Sequence, residues 1–187
     1  MRPDYYIAPD VVNKDEIDFI TKEGMKNLVK ATTFATRGTL KIDFKRRTKV
    51  AWFHKDKNKD LDKILNRVVD MLFSVSKNFY NQELNNVEPI QFTHYKFLNY
   101  YNYHMDSSAW PETPNRVISA TIELTNPKNY IGGGLQFKNH AFPRPKLKSG
   151  TMIAFPSLMI HKALPVYYGT RNSLVLWAGL EDKNDTR

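Results

Sequence analysis

The first candidate for chemistry in this sequence is the pair His104 and Asp106, which are separated by one residue at the end of a predicted strand. Side chains at positions i and i+2 of a strand point to the same side, so an imidazole and a carboxylate can converge on one point. Together they offer two adjacent ligands for a metal ion. The same spacing also fits an ordinary hydrogen-bonded His–Asp pair, so a third ligand is needed to indicate a metal site.

His161 supplies that third ligand. It follows an apolar run and precedes another predicted strand, and distant strands lie side by side in a rolled-up sheet. Two histidines and one carboxylate form a facial triad, which leaves three octahedral positions open for iron(II) oxygen chemistry. A 2-oxoacid can take two of these positions and leave one for dioxygen. We therefore expect His104, Asp106 and His161 to be the metal ligands and the catalytic centre.

Arg171 is the candidate anchor for such a 2-oxoacid. A five-carbon 2-oxoacid has a second, distal carboxylate, and burying that charge without a partner would be costly. Arg171 lies ten residues after His161 at the start of a predicted strand, and its guanidinium can hold a carboxylate through two hydrogen bonds. Ser173, on the same strand face, could add a hydroxyl donor. The alternative is that Arg171 is a surface arginine in a turn.

The order and spacing of these residues resemble a known family, the iron(II)/2-oxoglutarate-dependent dioxygenases, and within it the prolyl 4-hydroxylase-like branch. The resemblance runs from about Gln91 to Leu180, nearly half of the chain. It rests on YHMD, FPSLMIH and GTRNSL, which match the family's H-x-D, its distant histidine and the basic residue ten positions further on. The resemblance implies a double-stranded β-helix fold, bound Fe(II), 2-oxoglutarate and O2 as cosubstrates, and ascorbate as a reductant.

The resemblance also assigns roles to further residues. His104, Asp106 and His161 would be the iron ligands, and Arg171 would anchor 2-oxoglutarate. Tyr95 matches a tyrosine that helps to hold the same carboxylate, although it could equally be a core tyrosine. The family's GG-acid motif appears as three glycines ending at Gly134, so its acidic residue is missing.

Three more residues match positions that surround the target proline in prolyl 4-hydroxylases: Tyr101, Arg116 and Trp177. The resemblance implies that they bind substrate. A structural role is equally open, because tyrosine and tryptophan are common in β cores and Arg116 opens a strand.

The composition narrows the other classes of function. The chain has 187 residues, 41% of them hydrophobic, and no cysteine, so disulfides, thiolate nucleophiles and cysteine-based metal sites are excluded. The net charge of +9 raises the question of nucleic-acid binding. Basic residues are spread along the chain, however, with only local clusters such as KRRTK at 45–49. We therefore interpret them mainly as a solvated basic surface and expect no nucleic-acid partner.

The elements that must position these residues can also be predicted. Apolar residues at helical spacing predict one helix over about 14–30, opened by a capping box of Asn13 and Glu16, and a second over about 60–80. Strands are predicted at ATTFATRGTLKIDF and TKVAWF and then in close succession from residue 89, with turns at SSAWPETPN, NPKNYIGGG and YYGT. We expect an α+β protein with a mainly β core, a jelly roll flanked by N-terminal helices.

These observations lead to one overall expectation. Residues 1–187 form a single domain, with helical support over about 1–88 and the catalytic jelly-roll core over about 89–181. The N-terminus lacks an apolar leader and no stretch is long enough to span a membrane, so we expect a soluble, cytoplasmic protein. We expect a hydroxylase that acts on a prolyl or other residue of a peptide or protein. The alternatives are a nucleic-acid oxidase or demethylase on the same fold, and a catalytically silent barrel that acts as a binding protein.

Overall fold

A computed structural model describes residues 4–34, 40–41, 45–107, 115–138 and 147–181 of the chain. Two α-helices, α1 (Lys14–Lys26) and α2 (Lys59–Tyr80), lie in the N-terminal half, and a short 3-10 helix spans Pro127–Asn129. The strands of the N-terminal half are β1 (Tyr6–Ala8), β2 (Val29–Lys30), β3 (Thr33–Phe34), β4 (Leu40–Lys41), β5 (Arg46–Arg47), β6 (Lys49–Phe53) and β7 (Asn86–Val87). Those that follow are β8 (Ile90–Tyr95), β9 (Tyr100–His104), β10 (Arg116–Glu123), β11 (Tyr130–Gly132), β12 (Leu135–Phe137), β13 (Met152–Pro156), β14 (His161–Ala163), β15 (Val166–Gly169) and β16 (Arg171–Gly179).

Among the described residues, the fold is built on a large antiparallel sheet of eight strands. Its strands run in the order β1-β13-β10-β16-β8-β6-β2, and β7 pairs with the end of β16. The sheet has two different faces because its central strands alternate in side-chain type. On β16, for example, Leu174 and Leu176 point to the apolar face. The side chains of Arg171, Ser173 and Trp177 point to the opposite, polar face.

A second, smaller sheet has the order β12-β14-β9-β5 and carries the histidines of the predicted site. His161 of β14 is directly paired with His104 of β9. The two sheets form the double-sheet jelly roll predicted from the sequence, which confirms the fold class. The polar face of the large sheet and the small sheet border a common cavity.

The helices cover the apolar face of the large sheet. The cluster between them contains fully buried residues from both layers, among them Ile20 of α1, Leu72 of α2 and Phe92 of β8. Helix α1 approaches very closely at Gly24, where an added Cβ would lie 2.3 Å from the Phe92 ring. Burial of this face fixes the direction of the other one, because a one-residue slip would exchange the two sets of side chains.

The helix starts follow the sequence signals. Asn13 and Glu16 form the predicted capping box, in which the Asn13 side chain accepts from the Glu16 N–H and the Glu16 carboxylate accepts from the Asn13 N–H. Asn58 caps α2 by accepting from the Leu61 N–H. At its end, α2 is closed by Asn81, which adopts a left-handed conformation.

Several predicted boundaries were wrong. The first helix ends at Lys26 and not near residue 30, because the chain leaves it to form β2 at the edge of the large sheet. The strand predicted at TKVAWF is present as β6, but β1 and β2, which also extend that sheet, were not predicted. The segments NPKNYIGGG and YYGT were predicted as turns but contain β11 and most of β15, which pair with each other. Of SSAWPETPN, only the two ends lie within the described residues.

Neither α-helix of the described ranges is long and apolar enough to cross a membrane. Both are amphipathic, with one face packed on the large sheet.

Candidate active site

His104, Asp106 and His161 come together at one end of the cavity between the sheets. The Nε2 atom of His104 lies 3.4 Å from Asp106 Oδ1, and Nε2 of His161 lies 3.6 Å from Oδ2 of the same carboxylate. One ligand atom of each residue can be chosen so that all lie within 4.8 Å of one another. These three side chains could therefore hold a single metal ion, as the sequence predicted.

Both histidines are fixed in the tautomer that a metal ligand needs. His104 Nδ1 is 2.7 Å from the carbonyl oxygen of Asn102, and His161 Nδ1 is 2.8 Å from the carbonyl oxygen of Met159. A carbonyl oxygen only accepts, so each Nδ1 carries the proton and donates. The lone pair of each imidazole is then on Nε2, which faces the shared point. Such hydrogen bonds also set ring orientation and raise ligand basicity.

The charge states of Asp106 and His161 suit a divalent cation. Burial by itself would raise the pKa of Asp106, but the proximity of the His104 and His161 imidazoles offsets it and holds the pKa well below its ordinary value. Burial lowers the pKa of His161, although the Asp106 carboxylate opposes this effect. Near neutral pH the site therefore presents one anionic oxygen and a neutral His161 imidazole, which are the protonation states that metal binding requires.

Arg171 lies deep in the same cavity, but it is already paired. Its Nε donates to Oε2 of Glu123 at 2.8 Å, and both side chains are about 5% exposed. The Tyr130 hydroxyl donates to the same oxygen at 3.3 Å. Burial raises the pKa of Glu123 in spite of the opposing charge of Arg171. Arg171 is therefore not the surface arginine of the alternative interpretation, and its counter-charge is a residue that the sequence reasoning missed.

The other predicted cosubstrate residues surround Arg171. Tyr95 is its direct partner in the register between β8 and β16, and the Tyr95 ring centroid lies 5.6 Å from the guanidinium carbon. The Ser173 hydroxyl forms a 2.6 Å hydrogen bond with the Thr93 hydroxyl. All of these side chains line the cavity. The predicted cosubstrate residues thus form one wall of it.

The glycine run, residues 132–134, packs against Arg171 and Tyr130. Gly133 has a φ of +56°, and a Cβ there would lie 3.2 Å from the Cδ of Arg171 and 3.0 Å from the Tyr130 ring. Both its backbone conformation and its surroundings therefore favour glycine. At Gly134, where the family's acid is missing, the carbonyl accepts from the Leu164 N–H. The missing acid thus leaves the backbone pairing of this segment intact.

The predicted substrate residues lie around the metal ligands. The Tyr101 ring stacks on the His104 imidazole with centroids 3.5 Å apart, and burial raises the Tyr101 pKa to about 12. The Arg116 guanidinium lies over the Trp177 ring at 4.1 Å and donates to the Asp106 carbonyl at 3.2 Å. It is also held by both carboxylate oxygens of Glu88. Arg116 therefore links the backbone of Asp106 to the Glu88 carboxylate.

Arg46 corrects the interpretation of the KRRTK cluster as a solvated basic surface. The Arg46 side chain is half-buried and lines the cavity, whereas its neighbour Arg47 is exposed. Its guanidinium lies 4.7 Å above the Tyr101 ring and donates to Gln91 Oε1 at 2.6 Å. Local charge density could not reveal this position. The alternation of β10, in contrast, could have revealed Glu123, which shares a strand face with Thr121.

The remaining histidines take no part in the site within the described structure. His94 points away from Tyr95, as alternation predicts, and its Nδ1 lies 2.7 Å from Asn172 Oδ1. His54 borders a separate groove beside α2. His140 lies outside the described residues.

Fold and site together define a class. A jelly roll with two histidines and one carboxylate at the mouth of its cavity is the architecture of a mononuclear non-haem iron oxygenase. Residues 90–179 match the family model of the 2OG-Fe(II) oxygenase superfamily, and they include every predicted site residue. The chain is thus similar to this superfamily and to its prolyl hydroxylases. The family implies Fe(II), 2-oxoglutarate and O2.

Individual proteins support this assignment. A PKHD-type hydroxylase of Pseudoalteromonas atlantica is 32% identical over 111 residues, which cover 55% of this chain and 48% of that protein. The chain thus spans about half the length of this curated relative. A prolyl-4-hydroxylase of Pseudomonas putida has the same fold, with a TM-score of 0.75, 16% identity and coverage of 96% of this chain and 94% of that one. A prolyl hydroxylase of Trichoplax adhaerens, solved in complex with a hypoxia inducible factor peptide, also has this fold. Its TM-score is 0.70 at 18% identity, and the match covers 94% of this chain and 83% of that one.

Proposed function

We propose that this protein is an Fe(II)- and 2-oxoglutarate-dependent dioxygenase that hydroxylates a C–H bond of a prolyl or other residue in a peptide or protein. Succinate and CO2 are the coproducts. The observation that carries the proposal is the His104, Asp106 and His161 triad, with both histidine tautomers fixed by backbone carbonyls. We further propose that residues 1–187 act as one domain, because the helices complete the core beneath the catalytic sheet.

The donor set suits iron(II). Two imidazoles and one carboxylate provide three ligands of intermediate to hard character on one side of the ion and leave the other side open. Iron bound here would supply the oxygen chemistry. His104, Asp106 and His161 would hold it, and the hydrogen bonds on the Nδ1 atoms would keep their geometry during turnover.

In this proposal, the large sheet orients the cosubstrate. The guanidinium of Arg171 uses Nε for Glu123, which leaves its terminal nitrogens to receive the distal carboxylate of 2-oxoglutarate. Tyr95 and Ser173 complete that end of the cavity. The anchor is rigid because it is buried and paired before the cosubstrate arrives, so little side-chain freedom is lost on binding.

Substrate would approach the metal on the side of Tyr101, Arg116 and Trp177. The Tyr101 and Trp177 rings help to exclude water from this side, and Arg116 packs on Trp177 and is held by Glu88. In this arrangement Arg116 is a positioning residue. It acts through the Asp106 backbone and the Trp177 ring. Ascorbate would serve only to restore iron(II) after turnover without substrate.

The test is succinate formation from 2-oxoglutarate by iron(II)-loaded protein, with and without a poly-L-proline peptide. We expect succinate from the wild type, more of it with the peptide, and none from Asp106→Ala, which lacks the only anionic ligand. Asp70→Ala, an exposed position on α2, is the matched control. Absence of succinate from the wild type under both conditions, or wild-type iron content and turnover in Asp106→Ala, would refute the proposal.

A further inference from the structure

Two hydrogen-bond donors in the active-site cavity lack acceptors. Among the described residues, Arg46 Nε and Trp177 Nε1 are buried without a hydrogen-bond partner. Both side chains line the cavity that holds the metal ligands. A buried N–H without an acceptor costs free energy comparable to a lost hydrogen bond, so native structures rarely retain one without a reason. Because both side chains line this cavity, an oxygen-bearing ligand bound there is a candidate acceptor for these donors.

The ligand group at Arg46 should be anionic. The partners of this guanidinium are neutral: the amide oxygen of Gln91 and the ring of Tyr101. No carboxylate of the described ranges lies within ion-pair distance of it, in contrast to Arg171 with Glu123 and Arg116 with Glu88. Of the three arginines around the centre, Arg46 is thus the one whose charge is uncompensated in the part of the chain that the structure describes.

The cosubstrate is too short to supply this group. The register pairs Arg171 with Tyr95 and Val175 with Gln91, so the two ends of the cavity lie four residues apart along the sheet, about 13 Å. A five-carbon dicarboxylate is shorter than this span, so one held on Arg171 does not extend along the whole sheet face to Gln91. We therefore assign the acceptor to the other molecule in the cavity, the substrate.

The same end of the cavity lies beside the reaction centre. Tyr101 separates Arg46 from the His104 ring, stacking on the imidazole at 3.5 Å. Arg116 connects Trp177 to Asp106: its guanidinium lies over the indole ring and donates a hydrogen bond to the Asp106 carbonyl. A group held by Arg46 and Trp177 would thus be a close neighbour of the oxidised carbon.

We propose that Arg46 and Trp177 bind a carboxylate of the substrate next to the hydroxylated position. The inference rests on the proposed function, since it assigns the group to the molecule being oxidised. Two sources share this chemistry. One is a C-terminal or free α-carboxylate on the hydroxylated residue, and the other is the side chain of an adjacent aspartate or glutamate. Arg46 would then determine specificity, because a neutral substrate would leave its buried charge unpaired.

The test observes the Trp177 indole N–H directly by NMR of 15N-tryptophan-labelled protein loaded with zinc and saturating 2-oxoglutarate. Only three tryptophans are present, and Trp177→Phe identifies the signal. The probes are N-acetyl-L-proline, its neutral amide, and an amidated acetyl-Pro-Asp peptide. We expect the Trp177 signal to move with at least one carboxylate probe and not with the neutral amide. The probe that moves it distinguishes the two sources.

Variants of Arg46 and of its neighbour Arg47 distinguish binding at Arg46 from a general effect of positive charge. Arg46→Gln should lower the affinity for the carboxylate probe by about tenfold or more, because a hydrogen-bonded charge is removed. Arg46→Lys should recover part of that loss, which also guards against misfolding of the first variant. Arg47→Gln, at the exposed neighbouring position, should bind like the wild type. An equal response to the neutral amide, no response to either carboxylate, or unchanged affinity in Arg46→Gln would overturn the inference. This readout requires neither iron nor turnover, so it can fail or succeed independently of succinate formation.

Discussion

Glu123 gives the proposed cosubstrate anchor a counter-charge before any ligand binds. Its carboxylate and the Arg171 guanidinium are both buried, and Tyr130 donates to the same oxygen. An incoming carboxylate therefore joins an existing ion pair and does not meet a bare cation. The affinity for 2-oxoglutarate should then reflect a balance between attraction to Arg171 and repulsion from Glu123.

Replacing Glu123 with glutamine should shift that balance. Removing one partner of a buried charge pair typically costs about 3–5 kcal/mol, so the unliganded protein should lose stability. The cosubstrate would restore the missing negative charge, so 2-oxoglutarate should raise the melting temperature more in Glu123→Gln than in the wild type. Thermal unfolding of zinc-loaded protein with and without 2-oxoglutarate measures both effects.

Glu88→Gln is the control for this prediction, since Glu88 also pairs with an arginine beside the cavity but does not contact Arg171. It should show the same 2-oxoglutarate shift as the wild type. Equal shifts in all three proteins would mean that Glu123 does not compete with the cosubstrate.

At the level of the strands, side chains of β8, β10 and β16 alternate between the hydrophobic core and the cavity of the candidate site. One set of side chains packs on the helices, and the residues between them line the cavity. Helix α1 presses on this layer at Gly24, directly over the fully buried Phe92 ring. Because Gln91 and Thr93 flank Phe92 on β8, a shift of this ring would also reach the cavity.

Gly24→Ala should therefore destabilise the protein although alanine is the better helix former. The gain in helix propensity is about 1 kcal/mol, whereas overpacking a rigid core typically costs about 1–3 kcal/mol. A Cβ at 2.3–2.6 Å from three ring atoms leaves no room without movement of the helix. We expect a lower urea midpoint for Gly24→Ala. Lys22→Ala, at an exposed position of the same helix, should leave it nearly unchanged, and a Gly24→Ala midpoint at or above the wild-type value would contradict the packing account.

The sequence predicted the elements better than their ends. The capping box, both helices and the main strands were identifiable because caps and periodicity are local signals. The end of α1 was not, since the pairing of β2 with β6 is a long-range interaction. His104, Asp106, His161 and Arg171 could be singled out from their spacing, whereas the positions of Arg46 and Glu123 depend on how distant strands pair. No local pattern distinguishes a cavity-lining arginine in KRRTK from its exposed neighbour.

For the whole molecule, the net charge of +9 is the property most open to misinterpretation. At least two arginines that contribute to it, Arg46 and Arg171, line the cavity and are not part of a basic outer surface. Binding to DNA should therefore be weak and non-specific and should fall steeply with salt, since release of counterions would be its whole basis. Fluorescence anisotropy with a labelled duplex between low and physiological salt measures this. Tight binding that resists salt, with oxidation of a base, would instead favour a nucleic-acid substrate.

We propose that one chain holds iron on the His104, Asp106 and His161 triad and 2-oxoglutarate on Arg171. The most direct measurement is titration of 2-oxoglutarate into anaerobic iron(II)-loaded protein, following the metal-to-ligand absorption band. Arg171→Ala alone would leave Glu123 buried without a partner, so the informative variant combines Arg171→Ala with Glu123→Gln. We expect a band that saturates at one equivalent in the wild type, no band in Asp106→Ala, and affinity lower by roughly a hundredfold or more in the double variant, the equivalent of about 3–5 kcal/mol. Wild-type protein without a band, or unchanged affinity in the double variant, would contradict the account.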